Sequence, residues 1–413
     1  MNQNFIIEDK AVTITDSVLK FLIFVTVLLP TGSIFGVNLK MLSLGAFLLL
    51  LILVKKNIVI LKTVFSLVPV ALFLLASSLY SFIIYKYDSS YIFFQAKDIL
   101  VFFLMFYILM QYARFENKYQ YIADTIVKSL YYVGLIKIII LLYSFYIGVP
   151  VSFVILNISD FLNVPIMTYD VEDTYISRIN FTSDLIIPIS IFYLLMKFYR
   201  RGHSKIDTFM LIIILFSAFI TMSRFQWAFT LVAIIFAILL NISNKKSFIT
   251  LLFLTSLAFL SLTFQSVQDA LLARFDEKLV SASDFERIIQ RQGIEQAISE
   301  APLFGNGIGY YIPNLIRSDL AKYSYELQLH ALIMQLGFFG FIIILLMILI
   351  PLIKSANGLS LNIFICYSGL VVIWISSSLF NPMLFSSSAG VAMALFYMIS
   401  KLSWLRHRSS KYI

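Results

Sequence analysis

Cysteine is almost missing from this chain. The single residue, Cys366, lies in an apolar run, so there is no disulfide framework and no thiolate metal site. Histidine is nearly as scarce, with three residues in 413. No HExxH occurs, and no DxD pair falls in a long loop facing away from the basic side described below, so metal-ligand spacing is absent. No serine nucleophile elbow is found. Charge is scarce too, at 13% of residues, against about 25% in soluble domains. What fills the space is apolar: 60% hydrophobic residues, with 40 Phe and 23 Tyr, and a mean hydropathy of +0.92. A soluble core cannot absorb that excess, whereas a bilayer can, and aromatic rings suit both lipid and headgroup depth.

Crossing a bilayer takes roughly 20 apolar residues. On that basis spans are expected at 17–37, 39–55, 64–85, 90–112, 126–148, 181–199, 207–222, 225–242, 247–265, 327–353, 360–379 and 385–403. Pro30 and Gly32 interrupt the first. The polar start, MNQNFIIEDKAVTITDS, lacks a signal-peptide pattern, so the first span is expected to be retained. The expected fold is an all-α polytopic membrane protein of about twelve transmembrane helices, a single transmembrane domain over 1–413, with no internal repeat.

Basic residues follow every even-numbered span: Lys55 and Lys56, Arg114 and Lys118, Arg200, Arg201 and Lys205, Lys245 and Lys246, Lys354, then Lys401, Arg406, Arg408 and Lys411. The positive-inside rule puts these segments and both termini in the cytoplasm. Topology therefore accounts for the net charge of +9, and nucleic acid is not an expected partner. His203 and His407, on that side, read as ordinary surface residues.

Two long loops then face outward. One, 149–180, carries Asp160, Asp170, Glu172 and Asp173. The other, 266–326, is expected to be a partly helical cap. It holds Arg274, Arg287, Arg291 and Arg317, an amphipathic stretch at 283–300, and the turn APLFGNGIGYY. Arginines on the outer side run against the positive-inside trend, and guanidinium groups fork onto phosphate. Solvated charge paired with Asp269, Asp276, Glu277, Asp284, Glu286 or Glu295 explains them equally. Arg224, in TMSRFQW between two apolar runs, and Arg178, just before the sixth span, lie at a depth where ionisable groups are candidates for function. Glu326 and His330, four residues apart at the start of the tenth span, are expected to share a helix face as a base and its partner. The GNGIG turn lacks the preceding strand and the Lys and Ser/Thr of a nucleotide loop. Lys97 and Asp98 sit inside the fourth apolar run. There they serve equally well as a transporter's coupling site or as a structural contact.

These pieces, in this order from Tyr175 to Gly340, resemble the O-antigen ligase and O-antigen polymerase (Wzy) superfamily. The pieces are Arg178 ahead of a short aromatic segment, the pair Ser223-Arg224, and Arg287 followed by Pro302 and Gly305-Asn306-Gly307. The last is a helix with Gly337 and Gly340. Ligases of this superfamily usually keep a His-Asn pair where this chain has Glu326, with His330 one turn later, and that departure favours polymerase.

The resemblance implies a metal-independent glycosyltransferase of the type C membrane class, needing no cofactor. It would be an O-antigen polymerase joining undecaprenyl-pyrophosphate-linked repeat units at the periplasmic face of the bacterial inner membrane. Arg178, Arg224, Arg287 and Arg291 would bind pyrophosphate, and Glu326 and His330 would be catalytic. Partners would be the undecaprenyl-pyrophosphate-linked oligosaccharide and membrane lipid. A chain-length regulator protein is left open. Two other readings stand beside it: a ligase moving glycan onto lipid A core, and a lipid-linked oligosaccharide flippase. The flippase reading lacks the two similar halves such transporters tend to show.

Overall fold

The computed structural model describes residues 2–29, 37–162, 167–169, 178–202, 204–261, 263, 268, 277–318 and 321–406. Pro30, Gly32, Asp170, Glu172, Asp173, His203, Asp269, Arg274, Asp276, His407, Arg408 and Lys411 lie outside them, as do the side chains of Glu277 and Asp284.

The chain is helical almost throughout the described residues. In order come α1 (Asn2–Leu28), α2 (Leu39–Leu53), α3 (Asn57–Tyr80, continued by a π-turn at Ser81–Tyr85), α4 (Ser89–Glu116) and α5 (Tyr119–Ile147). Next are α6 (Val151–Leu162), a two-stranded ribbon of β1 (Met167–Tyr169) and β2 (Arg178–Asn180), and a 3-10 turn (Thr182–Ile186) leading into α7 (Ile187–Arg200). The rest comprises α8 (Lys205–Ile220), α9 (Arg224–Leu239), α10 (Lys245–Ser261), α11 (Glu277–Glu300), α12 (Gln328–Ala356), α13 (Leu361–Ser376), α14 (Ser387–Lys401) and α15 (Ser403–Arg406).

Among the described residues, six helices are long and apolar enough to cross a membrane: Asn57–Tyr85, Ser89–Glu116, Tyr119–Ile147, Thr182–Arg200, Gln328–Ala356 and Leu361–Leu379. Each coincides with an expected span. The other expected spans meet shorter helices or helices outside that set. For example, α2, α8, α9 and α14 have 15, 16, 16 and 15 residues. At 1.5 Å per residue these reach about 24 Å, short of the roughly 30 Å hydrocarbon core. The count of about twelve thus depends on how those shorter helices are treated. The 149–180 loop also holds an apolar helix, α6, that was expected to be loop.

The core runs through the bundle. Phe102, Phe103, Phe106, Phe192, Tyr193, Phe229, Trp374 and Phe396 are all fully buried. The most enclosed helix is α14, its residues Ser388–Ser400 buried without a break against α4, α5 and α12. That placement suits its small residues, such as Gly390, where a Cβ would meet the Phe102 carbonyl.

Every connection expected on the basic side gathers at one end. Lys56 of the α2–α3 turn meets Glu116 at the end of α4 at 2.7 Å. Lys118 of the α4–α5 turn meets Asp16 of α1 at 2.5 Å. Lys197 of α7 meets Asp124 of α5 and Asp207 of α8, both at 3.0 Å. Arg200 reaches Asn241 of the α9–α10 turn at 3.1 Å and the Leu405 carbonyl at 3.4 Å. Ser400 donates to Ser355 near the end of α12 at 2.6 Å. The charge alternation therefore has a physical counterpart: these turns touch one another.

Candidate functional site

At the opposite end, α11 lies against the start of α12. Its apolar stripe, Ile294 and Ala297, packs on Tyr325, Leu327, Ala331 and Met334 in a small core of its own. The turn after α11 fastens this cap to the bundle. Phe338 and Phe339 donate their backbone N–H to the Pro302 and Leu303 carbonyls (2.9 and 3.2 Å), and Asn306 and Gly307 donate to Met334 and Gln335 (both 2.8 Å). Gly309 donates to Gln95 Oε1 of α4 at 2.7 Å. Gly337 breaks α12 with φ 67° and ψ 176°. A side chain there would run into the Leu303 carbonyl, and one at Gly305 into the Gly337 backbone. Both conformation and close approach demand glycine. The GNGIG amides of Asn306, Gly307 and Gly309 are thus spent on protein carbonyls and an amide. The turn is a clamp and not a phosphate cradle.

The clamp sets Arg287 of α11 beside Glu326. Arg287 Nε lies 3.0 Å from Glu326 Oε2, and Arg317 Nη2 lies 3.0 Å from Oε1. Gln290, one turn from Arg287, accepts from the Glu326 backbone N–H at 3.3 Å. One carboxylate therefore bridges two guanidinium groups, at partial exposure. Arg291 points elsewhere: its side chain is 62% exposed and pairs with Glu295 at 2.6 Å. It remains close enough for its charge, with that of Glu295, to act on His330. His330 is half-buried in the first turn of α12, and its Nδ1 has no hydrogen-bond partner among the described residues.

One expectation needs correction. Glu326 and His330 do not share a helix face, because α12 begins at Gln328 with Leu327 as its cap. Glu326 stands ahead of the helix in irregular chain, which is why two arginines can reach it.

Arg178 belongs to a second cluster, centred on Asp184. Asp184 accepts from Lys137 Nζ with both oxygens at 2.8 Å and from the Phe181 N–H at 2.8 Å. Its carbonyl accepts from Gln226 Nε2. Lys137 is 0% exposed and Asp184 3%, and Lys137 also sits 5.5 Å from the Phe181 ring centroid. Trp374 of α13 donates to the Leu185 carbonyl at 3.1 Å. The 181–186 segment is thereby tied to α5, α9 and α13. Arg178, in β2, lies close enough for its charge to be felt at both Lys137 and Asp184. Arg224 opens α9, where Ser223 Oγ caps the helix through Gln226 N–H.

Two cavities lie between the clusters and share Asp98, Pro382 and Phe385. The smaller, about 90 Å³, is lined by Tyr323, Tyr325, Gln328 and Gln335, among others. The larger, about 400 Å³, is lined by Lys40, Lys97, Thr26 and Thr182, among others. Asp98 accepts from Tyr323 Oη at 3.1 Å and lies 3.6 Å from Lys97. Burial and the neighbouring Asp98 raise the Tyr323 phenol well above its ordinary pKa, so it stays a donor.

Sequence reasoning passed over Lys137, Asp184, Lys40 and the role of Arg317. Lys137 carried a signal: a lysine in YVGLIKIIILL calls for a partner. Among the described residues, no group of three or more His, Cys, Asp or Glu side chains is gathered to hold a metal ion.

No curated protein matches the chain. Residues 209–345, from α8 into α12, match the family model described as O-antigen ligase. This stretch, about a third of the chain, contains Arg224, Arg287, Arg317, Glu326 and His330, and it supports the resemblance to the O-antigen polymerase and ligase superfamily.

Proposed function

We propose that the protein is a polysaccharide polymerase. It joins undecaprenyl-pyrophosphate-linked repeat units at the periplasmic face of the inner membrane, with both termini in the cytoplasm. The observation that carries this reading is the Arg287–Glu326–Arg317 bridge just ahead of α12. In the reaction an acceptor hydroxyl oxygen attacks the anomeric carbon of the donor sugar. The carbon–oxygen bond to phosphate breaks, and the lipid pyrophosphate leaves with the electron pair. Two guanidinium groups already aimed at one anionic site suit the charge that develops on that leaving group.

His330 takes the hydroxyl proton. Its Nδ1 has no hydrogen-bond partner among the described residues, whereas each Glu326 oxygen is held by an arginine. Glu326 thus acts as a positioning residue. It keeps Arg287 and Arg317 together until the pyrophosphate displaces it. Arg178, near the Asp184 cluster, and Arg224, at the start of α9, contribute further positive charge, and Arg291 adds to the field at His330.

A ligase uses the same leaving-group chemistry, and the matched family covers ligases as well as polymerases. Incubation of the purified protein with defined lipid-linked repeat units separates the readings. A ladder of lengthened lipid-linked glycans is expected. Transfer to lipid A core without a ladder would instead make it a ligase, and translocation with no new bond would make it a flippase.

A further inference from the structure

The larger cavity between α2, α4 and the α13–α14 connection holds more positive than negative charge. Lys40 and Lys97 line it against one carboxylate, Asp98, which Tyr323 also engages. Lys40 stands in the first turn of α2, the positive end of that helix dipole, where a cation is unfavourable unless an anion joins it. The N-terminus of α14 opens onto the same space through Ser386 and Ser387.

A second, independent observation points to a missing partner. Thr26 and Thr182 both line the cavity, and the hydroxyl oxygen of each is buried without a hydrogen-bond partner among the described residues. Thr26 is 0% exposed. An unsatisfied buried hydroxyl is costly, and two facing one cationic cavity are accounted for by a ligand rich in acceptor oxygens. The volume, about 400 Å³, falls within the range of small-ligand sites, about 300–1,000 Å³.

We infer that this cavity is a second anion site, distinct from Arg287–Glu326–Arg317, and that it takes the diphosphate of a second lipid-linked glycan. The inference rests on the polymerase reading, because a polymerase must hold two lipid diphosphates at once. The geometry agrees. The cavity shares Asp98, Pro382 and Phe385 with the smaller one lined by Tyr325 and Gln328, so it adjoins the segment that carries Glu326.

The test is calorimetric titration of the full chain with farnesyl diphosphate, in nanodiscs of phosphatidylcholine alone. Two equivalents are expected to bind. The double variant Lys40→Gln, Lys97→Gln should lose one of them or weaken it at least tenfold, while Lys40→Arg, Lys97→Arg keeps both. Arg287→Gln should lose the other. If the glutamine variant does not fold, Thr26→Val with Thr182→Val is titrated instead, and the same weakening is expected. Two equivalents at unchanged affinity in either neutral variant would overturn the assignment. So would loss of one equivalent when phosphatidylglycerol replaces phosphatidylcholine, since the site would then belong to a bilayer headgroup. The two proposals fail separately. A glycan ladder with unchanged binding in the lysine variant removes only this inference, whereas lysine-dependent binding without a ladder removes only the polymerase reading.

Discussion

At one end of the bundle Lys56, Lys118 and Lys197 each meet a carboxylate at 3.0 Å or less, and Lys197 meets two. At the other end Arg287 and Arg317 must share Glu326, and Lys40 and Lys97 face a cavity with one aspartate. Each of these three lysines has its own carboxylate, as a structural contact does. Beside Glu326 and in the larger cavity the cations outnumber the carboxylates they meet, two hydroxyls are unsatisfied and a histidine nitrogen has no partner among the described residues. The 266–326 segment carries nine carboxylates against six Lys and Arg, so the excess is local to these two places, and it marks where an anionic ligand completes the set. The predictions test that contrast.

The largest effect is expected at His330. His330→Gln should lower chain growth by about 10²–10⁴-fold, the usual worth of a general base, with donor binding unchanged. Glu326→Gln should instead weaken donor binding along with rate. It presents an NH₂ group to one of two guanidiniums and loosens the bridge. Turnover and KM measured for both variants at matched expression decide the assignment. A pure rate loss in Glu326→Gln would return the role of base to the carboxylate.

Next is the buried pair beside Arg178. Lys137→Met leaves Asp184 buried and uncompensated, and should cost about 3–5 kcal/mol of stability. Adding Asp184→Leu should recover a large part of that while leaving Arg178 poorly placed. Thermal unfolding of the single and double variants checks the stability claim. Activity of the recovered double variant checks whether the pair also positions.

Arg287→Ala should cost about 10²–10³-fold, as for loss of one donor to a developing anion. Arg287→Lys should not restore it, because lysine keeps the charge but lacks the planar fork. Full activity of the lysine variant in the ladder assay would show that only diffuse charge matters at the cap.

How much of this was legible in the sequence differs by level. The six long apolar helices and the clustering of basic turns followed from hydropathy and charge alternation, because bilayer thickness and the positive-inside bias act on local composition. Arg287 and Glu326 were both picked out, but not their bridge. That depends on where α12 starts and on the Gly305–Gly337 contact, and neither is encoded by spacing alone. Lys137–Asp184 joins residues 47 positions apart, and Thr26 and Thr182, far apart in the chain, line one cavity. Such pairings arise from tertiary packing, which a single sequence does not print.

The smallest effect belongs to the matched end, and it is the control for all the others. Lys56 and Glu116 make a bidentate contact, 2.7 Å to each oxygen, at a partly exposed position. A pair of this kind contributes about 1 kcal/mol or less, because water solvates either partner once the other is gone. Glu116→Gln should therefore lower the unfolding midpoint slightly, and less so in high salt, where the pair is already screened. It should leave ladder length, turnover and diphosphate stoichiometry as in the unaltered protein. If removing this one carboxylate changed donor binding as strongly as Glu326→Gln, charge at the two ends would be coupled across the bundle. The division between a structural end and an anion-binding end would then have to be given up.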